Sequence, residues 1–120
     1  MSKIKVKDYD LDEMKSMCDA IIYEASVRDF SSDDSSGVSD KYQGKFLGMI
    51  ESGTTTNGDG GHSTGFDYLV DLGITHIQLM PVTDFNTEGY YSWGYDVKNF
   101  NFPEDSYSTN PYRGEVGISE

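Results

Sequence analysis

The chain contains little positive charge, a single cysteine and no long apolar run. Its 9 lysines and arginines stand against 21 aspartates and glutamates, so the net charge is −12. Because such a chain repels phosphate backbones and anionic membrane surfaces, nucleic acid and membranes are not expected partners. The one cysteine, Cys18, excludes an internal disulfide. No segment resembles a secretory signal or the ~20 apolar residues of a membrane span, and a cytoplasmic and a secreted parent protein both stay open.

Two short apolar segments predict strands. Residues 21–27, IIYEASV, are rich in β-branched and aromatic residues, which favours a strand buried on both faces. Residues 74–82, ITHIQLMPV, have the same character, and a proline ends the second strand because it cannot donate to a ladder. A strand, a connection that contains a helix and a second strand predict a βαβ unit with parallel strands.

The helix between the two strands is predicted over residues 65–72. Its apolar residues fall on one helical face: Phe66, Leu69 and Val70. Thr64 followed by Asp67 resembles a capping box, and Gly73 stands where a left-handed C-terminal cap belongs. This segment is therefore a short amphipathic helix.

The rest of the chain is predicted to be irregular. Residues 1–19 are a polar lead-in, and residues 31–65 are a long excursion with an apolar anchor at Phe46, Leu47 and Ile50. No third strand is predicted after Val82. Since two parallel strands do not complete a sheet, we expect the opening portion of a larger α/β structure.

Several polar patterns are weak indications of a site. Residues 53–58, GTTTNG, have the outer spacing of a phosphate-binding loop but are followed by Asp59 instead of lysine, so a surface loop is expected. His62 stands apart from other metal ligands, and His76 is expected to be a core histidine. No metal or cofactor site is predicted.

Residues 90–100, YYSWGYDVKNF, combine three tyrosines with the only tryptophan of the chain. The segment is too aromatic for a simple linker. Ser92, Gly94 and Asp96 interrupt its apolar residues too often for a core strand. Ligands of α/β folds lie beyond the carboxyl ends of the strands, and this loop follows the second predicted strand. We therefore expect it to contact a ligand.

Five segments, in this order, resemble the type I pullulanases, which are starch-debranching enzymes of the α-amylase superfamily of glycoside hydrolases. The segments are residues 21–33 (IIYEASVRDFSSD), 44–48 (GKFLG), 63–85 (STGFDYLVDLGITHIQLMPVTDF), 91–111 (YSWGYDVKNFNFPEDSYSTNP) and 114–116 (GEV). WGYD followed by YSTNP is the narrower motif, whereas residues 74–82 match a pattern shared widely in the superfamily. The resemblance covers nearly all of the chain from residue 19 onward.

The resemblance implies the opening βαβ portion of a (β/α)8 barrel over residues 20–120, with residues 1–19 as a lead-in. It also implies that Tyr95 stacks on the sugar ring about to be cleaved, that Asp96 borders the same subsite, and that Trp93 supports or contacts a neighbouring glucose unit. Aromatic faces suit the apolar C–H groups of pyranoses, and carboxylates accept from sugar hydroxyls. The alternative is an aromatic cluster that only packs the loop onto the barrel rim.

Retaining hydrolysis of a glycosidic bond needs two carboxyl groups roughly 5 Å apart. In the family these residues follow strands four and five, which this chain does not reach, so no catalytic residue is assigned. Glu24 and Asp29 lie about 16 Å apart on an extended strand, too far for this reaction. Arg28 and Asp29 are instead expected to fix loops by hydrogen bonds.

The resemblance thus implies a segment of an enzyme that cleaves α-1,6-glucosidic bonds of branched α-glucans such as pullulan, starch and glycogen, with the isolated segment inactive. Two alternatives stay open. One is a weak α-glucan-binding module that uses the aromatic loop. The other is a truncated fragment without independent function, which self-associates through unpaired sheet edges.

Overall fold

The computed structural model describes residues 14–87 and 91–120. Residues 1–13 of the predicted lead-in and Tyr90 of the predicted loop lie outside this part of the chain. The helices and strands are β1 (Ile22–Ala25), α1 (Val27–Ser31), α2 (Gly65–Leu72), β2 (His76–Leu79), β3 (Thr83–Phe85), β4 (Val97–Pro103) and α3 (Gly114–Ser119). Short 3₁₀ turns connect them, including one at Met17–Asp19 in the lead-in.

The predicted parallel pair is confirmed. β1 and β2 pair in parallel from Ile22 opposite His76 to Ala25 opposite Leu79. β1 is shorter than predicted because Ser26 caps the helix that follows, where its hydroxyl accepts from the amide of Asp29 at 3.4 Å. Val27 consequently begins α1 and does not continue the strand.

The predicted helix is confirmed with its bounds, and Gly73 forms the left-handed cap at φ 75°. The predicted capping box is wrong, since the Thr64 hydroxyl donates to the carbonyl of Ser36 instead of accepting from the helix. The Asp67 carboxylate accepts from the Gly53 amide at 2.5 Å and the Ser52 hydroxyl at 2.7 Å. These two hydrogen bonds lower the pKa of Asp67 and attach the preceding loop to α2.

The absence of further strands after Val82 was predicted wrongly. β3 and β4 form an antiparallel pair, with Phe85 opposite Val97 and an irregular register between Thr83 and Phe85. β3 has only three residues, too few for a clear pattern. β4 alternates asparagine and phenylalanine over residues 99–102, but Phe100 and Phe102 are exposed, so this alternation does not mark a core strand. The pairing depends on tertiary contacts that bring the two segments together.

The core lies where the end of β1, α1 and the β3–β4 pair meet. Its buried apolar side chains are Ala25, Val27, Met49, Phe85 and Tyr107. Phe46 packs against this core, as predicted for the anchor of the long excursion, and its ring lies 5.6 Å from that of Tyr107. Ile50 was wrongly assigned to the anchor, because its side chain is 60% exposed.

The parallel pair is much more open than predicted. Side chains of paired residues share a face of the sheet, so Tyr23, Ile77 and Leu79 form an apolar face that is 36–43% exposed. On the other face His76 is exposed, which corrects its predicted burial. Each sheet of the described residues has only two strands. Neither face of the β1–β2 pair is completely covered by other elements of the described chain. None of the described helices is long and apolar enough to cross a membrane.

Candidate functional site

The connection between β3 and β4 brings the predicted site residues together. Trp93, Tyr95 and Asp96 line an open depression of about 420 Å³, together with Tyr91 and Ser92. Trp93 is 60% exposed and Tyr95 is 66% exposed, so their rings are available to solvent. Residues 91–96 are called the aromatic loop below.

Gly94 anchors the aromatic loop on β3. The residue is buried and has φ +94°, a conformation that side chains rarely adopt. A Cβ atom here would lie 2.8 Å from the carbonyl oxygen of Pro81 and 3.1 Å from the ring of Phe85. Only glycine fits this close approach.

Tyr91 attaches the start of the aromatic loop to α1. Its phenolic hydroxyl donates to the Asp29 carboxylate, and the Arg28 guanidinium lies 4.7 Å from the centre of its ring. Partial burial and the hydrogen bond to Asp29 raise the pKa of the Tyr91 phenol. The predicted role of Asp29 in fixing a loop by a hydrogen bond is confirmed, whereas Arg28 acts through a cation–π contact.

The far end of the aromatic loop is closed by the backbone. The amide of Asn86 donates to the carbonyl of Asp96 at 3.1 Å, directly before β4 begins. Asp96 contributes a carboxylate to the lining of the depression.

A buried carboxylate supports the strands beneath the loop. Glu104 is 4% exposed, and its two carboxylate oxygens accept from the amides of Phe85 at 3.0 Å and Ser106 at 3.1 Å. Tyr107 packs on Phe85 with ring centres 5.8 Å apart, and burial raises the pKa of its phenol. No sequence pattern identified Glu104, Tyr91 or Tyr107 as part of the site, because their roles depend on partners far along the chain.

A second cavity of about 330 Å³ lies beside the aromatic loop and is lined by Arg28, Lys45, Ser92 and Tyr107 among others. The Lys45 ammonium donates to the carbonyl of Ser106 at 2.6 Å, which connects the long excursion to the segment after β4. Within the described part of the chain, no three acidic, histidine or cysteine side chains cluster as metal ligands.

The depression offers chemistry for binding more than for bond cleavage. It has exposed aromatic faces, one carboxylate and a backbone fixed at Gly94, which suit a sugar ring with apolar C–H groups and outward hydroxyls. Among the described lining residues, Asp96 alone carries a carboxylate, and retaining glycoside hydrolysis requires a pair.

Comparison with known proteins identifies relatives of this chain. It is 42% identical over 108 residues to a pullulanase of Bacillus subtilis and 32% identical over 111 residues to isoamylase 1 of Oryza sativa. A crystal structure of a pullulanase from Anoxybacillus, complexed with maltotriose, matches 97% of the chain with a TM-score of 0.86 and 39% identity. A pullulanase structure from Paenibacillus barengoltzii matches 92% with a TM-score of 0.82. No protein-family model matches the chain.

These matches confirm the resemblance found in the sequence. The chain is a homologue of the starch-debranching glycoside hydrolases of the α-amylase family. Within this class it corresponds to a segment of a pullulanase. It spans 14% of the B. subtilis relative, 12% of the rice relative and 17% of the Anoxybacillus structure.

Proposed function

We propose that residues 20–120 are the opening βαβ portion of a pullulanase-type (β/α)8 barrel, preceded by a lead-in over residues 1–19. The parallel pairing of β1 and β2 with α2 between them supports this arrangement, because it is the repeating unit of such a barrel. The incomplete cover on both faces of the pair fits a sheet that continues in further strands.

We propose that the parent enzyme cleaves α-1,6-glucosidic bonds of branched α-glucans with retention, and that this segment supplies part of the substrate subsite. Since the described residues that line the depression include a single carboxylate, the 120-residue chain is expected not to hydrolyse pullulan. Release of maltotriose by the purified chain, abolished in Tyr95→Ala, would contradict this assignment.

Tyr95 is proposed to stack on a glucose ring, with Trp93 beside it and Asp96 accepting from sugar hydroxyls. The observation that carries this proposal is the exposure of both aromatic rings on a loop whose backbone is fixed at Gly94. Exposed aromatic rings on a braced loop are typical of a binding surface. The complex of the Anoxybacillus pullulanase with maltotriose supports the choice of ligand.

Titration with maltotriose tests this proposal through the indole N–H of Trp93 in a ¹⁵N–¹H NMR spectrum. We expect a saturable shift of this signal and a loss of affinity of roughly two- to tenfold in Tyr95→Ala, since the stacking contact of an aromatic ring contributes about 0.5–1.5 kcal/mol. Tyr112→Ala is the matched control, because Tyr112 is 95% exposed and lies outside the depression. An indole signal that does not respond to maltotriose would contradict the binding role.

A second candidate state is self-association without an independent activity. The exposed apolar face of Tyr23, Ile77 and Leu79 favours it, since a contact with a second copy would remove this apolar surface from water.

A further inference from the structure

Tyr91 is held from two sides by two consecutive residues of α1. The Asp29 carboxylate accepts from its hydroxyl, and the Arg28 guanidinium covers its ring at 4.7 Å. Asp29 and Tyr91 are 62 positions apart in the sequence, so this contact joins the end of the β1 region to the aromatic loop. The three residues Arg28, Asp29 and Tyr91 are called the tyrosine clamp.

The two exposed aromatic residues of the loop have no comparable support. Within the described chain, Trp93 and Tyr95 make no side-chain hydrogen bond and no ring contact. Their orientation therefore depends on the backbone on either side. Gly94 fixes the centre of the loop and the carbonyl of Asp96 fixes its end, which leaves Tyr91 to fix its start.

We propose that Tyr91 is a positioning residue for Trp93 and Tyr95, and that it acts through the tyrosine clamp. The clamp orders the loop before a sugar arrives, so binding does not have to order the backbone. The effect of the tyrosine clamp on glucan affinity rests on the proposed function. Its effect on the order of the aromatic loop does not depend on that function.

The geometry favours a hydrogen bond that contributes more than an ordinary surface contact. The acceptor is a carboxylate, and charge-assisted hydrogen bonds are stronger than neutral ones. The cation beside the ring limits the directions that the side chain can take. Loss of the hydroxyl alone should therefore disturb the loop, even though the ring stays in place.

The test compares Tyr91→Phe, Asp29→Asn and the double variant in the 120-residue chain. Tyr91→Phe keeps the ring beside Arg28 and removes the donor, while Asp29→Asn keeps an acceptor oxygen and removes the charge. Tyr112→Phe is the control, because it removes the same hydroxyl from a tyrosine that is 95% exposed. The readouts are the Trp93 indole signal without sugar, hydrogen exchange of the Gly94 amide, and the affinity for maltotriose.

We expect the indole signal to move toward its random-coil position in both single variants. Gly94 exchange should accelerate roughly three- to tenfold, the scale of one solvent-exposed hydrogen bond. Maltotriose should bind weaker by a similar factor. The double variant should be no worse than Tyr91→Phe alone, because without the phenolic donor the charge of Asp29 has no hydrogen bond to strengthen. Tyr112→Phe should match the unsubstituted chain.

Three results would overturn the proposal. They are an unchanged indole signal in Tyr91→Phe, additive effects in the double variant, and loss of amide dispersion throughout the chain, which would make Tyr91 a residue for folding and not for positioning. A chain that fails to bind maltotriose contradicts the proposed function alone, since the sugar-free indole and exchange measurements still decide the role of the clamp.

Discussion

Gly94 brings the aromatic loop close to Pro81 and Phe85. Its φ of +94° and the contact of 2.8 Å that a Cβ would make with the Pro81 carbonyl are separate obstacles to a side chain. Gly94→Ala should destabilise the chain by about 3 kcal/mol and displace Trp93 from its position, because strain and steric clash add. Urea unfolding and the indole signal of Trp93 measure both effects.

Gly60→Ala is the matched control for this substitution. Gly60 has φ +77°, but a Cβ there would meet no atom within 4 Å. Gly60→Ala should lower the free energy of unfolding by roughly 1 kcal/mol, which is the backbone strain alone. Equal losses in the two variants would mean that the contact with Pro81 and Phe85 does not hold the loop.

At the scale of elements, the sequence predicts those helices and strands that are determined by residues close together in the chain. The bounds of α2 and the cap at Gly73 were predicted correctly, because amphipathic spacing and cap chemistry lie within about one helix length. The β3–β4 pair was missed because β3 has only three residues and pairs with β4 in an irregular register, so the pairing is defined by contacts between distant segments. Tyr91 was missed for the same reason, since nothing near it in the sequence marks Asp29 as its partner.

The β3–β4 pair should depend on the buried carboxylate of Glu104. Both of its oxygens accept from backbone amides, so the isosteric Glu104→Gln places an NH₂ group against one of these donors. A loss of about 1–3 kcal/mol in the free energy of unfolding is expected, because one buried amide loses its acceptor. Urea unfolding measures the loss.

Glu115→Gln provides the comparison for this change of charge. Glu115 is 69% exposed and pairs with Arg113 at the surface, so its replacement should leave the free energy of unfolding nearly unchanged. If Glu104→Gln lowers the free energy of unfolding as little as Glu115→Gln does, the hydrogen bonds of Glu104 do not stabilise the strands beneath the loop.

At the scale of the whole molecule, the apolar sheet face and the net charge have opposite effects on self-association. The face of Tyr23, Ile77 and Leu79 favours association, while the charge of −12 on each copy opposes it. Salt shortens the range of the repulsion from about 30 Å at 0.01 M to about 8 Å at 0.15 M. Sedimentation equilibrium should therefore detect stronger association as the salt concentration rises.

Two substitutions in the same strand distinguish the apolar face from a general effect of charge. Ile77→Lys places a cation on the apolar face, and Gln78→Lys places the same cation on the opposite face, because successive strand residues point to opposite sides. Ile77→Lys should weaken association roughly tenfold or more, since a buried charge without a partner is costly in the contact. Gln78→Lys should leave association unchanged or strengthen it, because it reduces the net negative charge. Equal weakening by both would show that the copies do not meet through this face, and a monomer at every salt concentration would exclude self-association as the state of the chain.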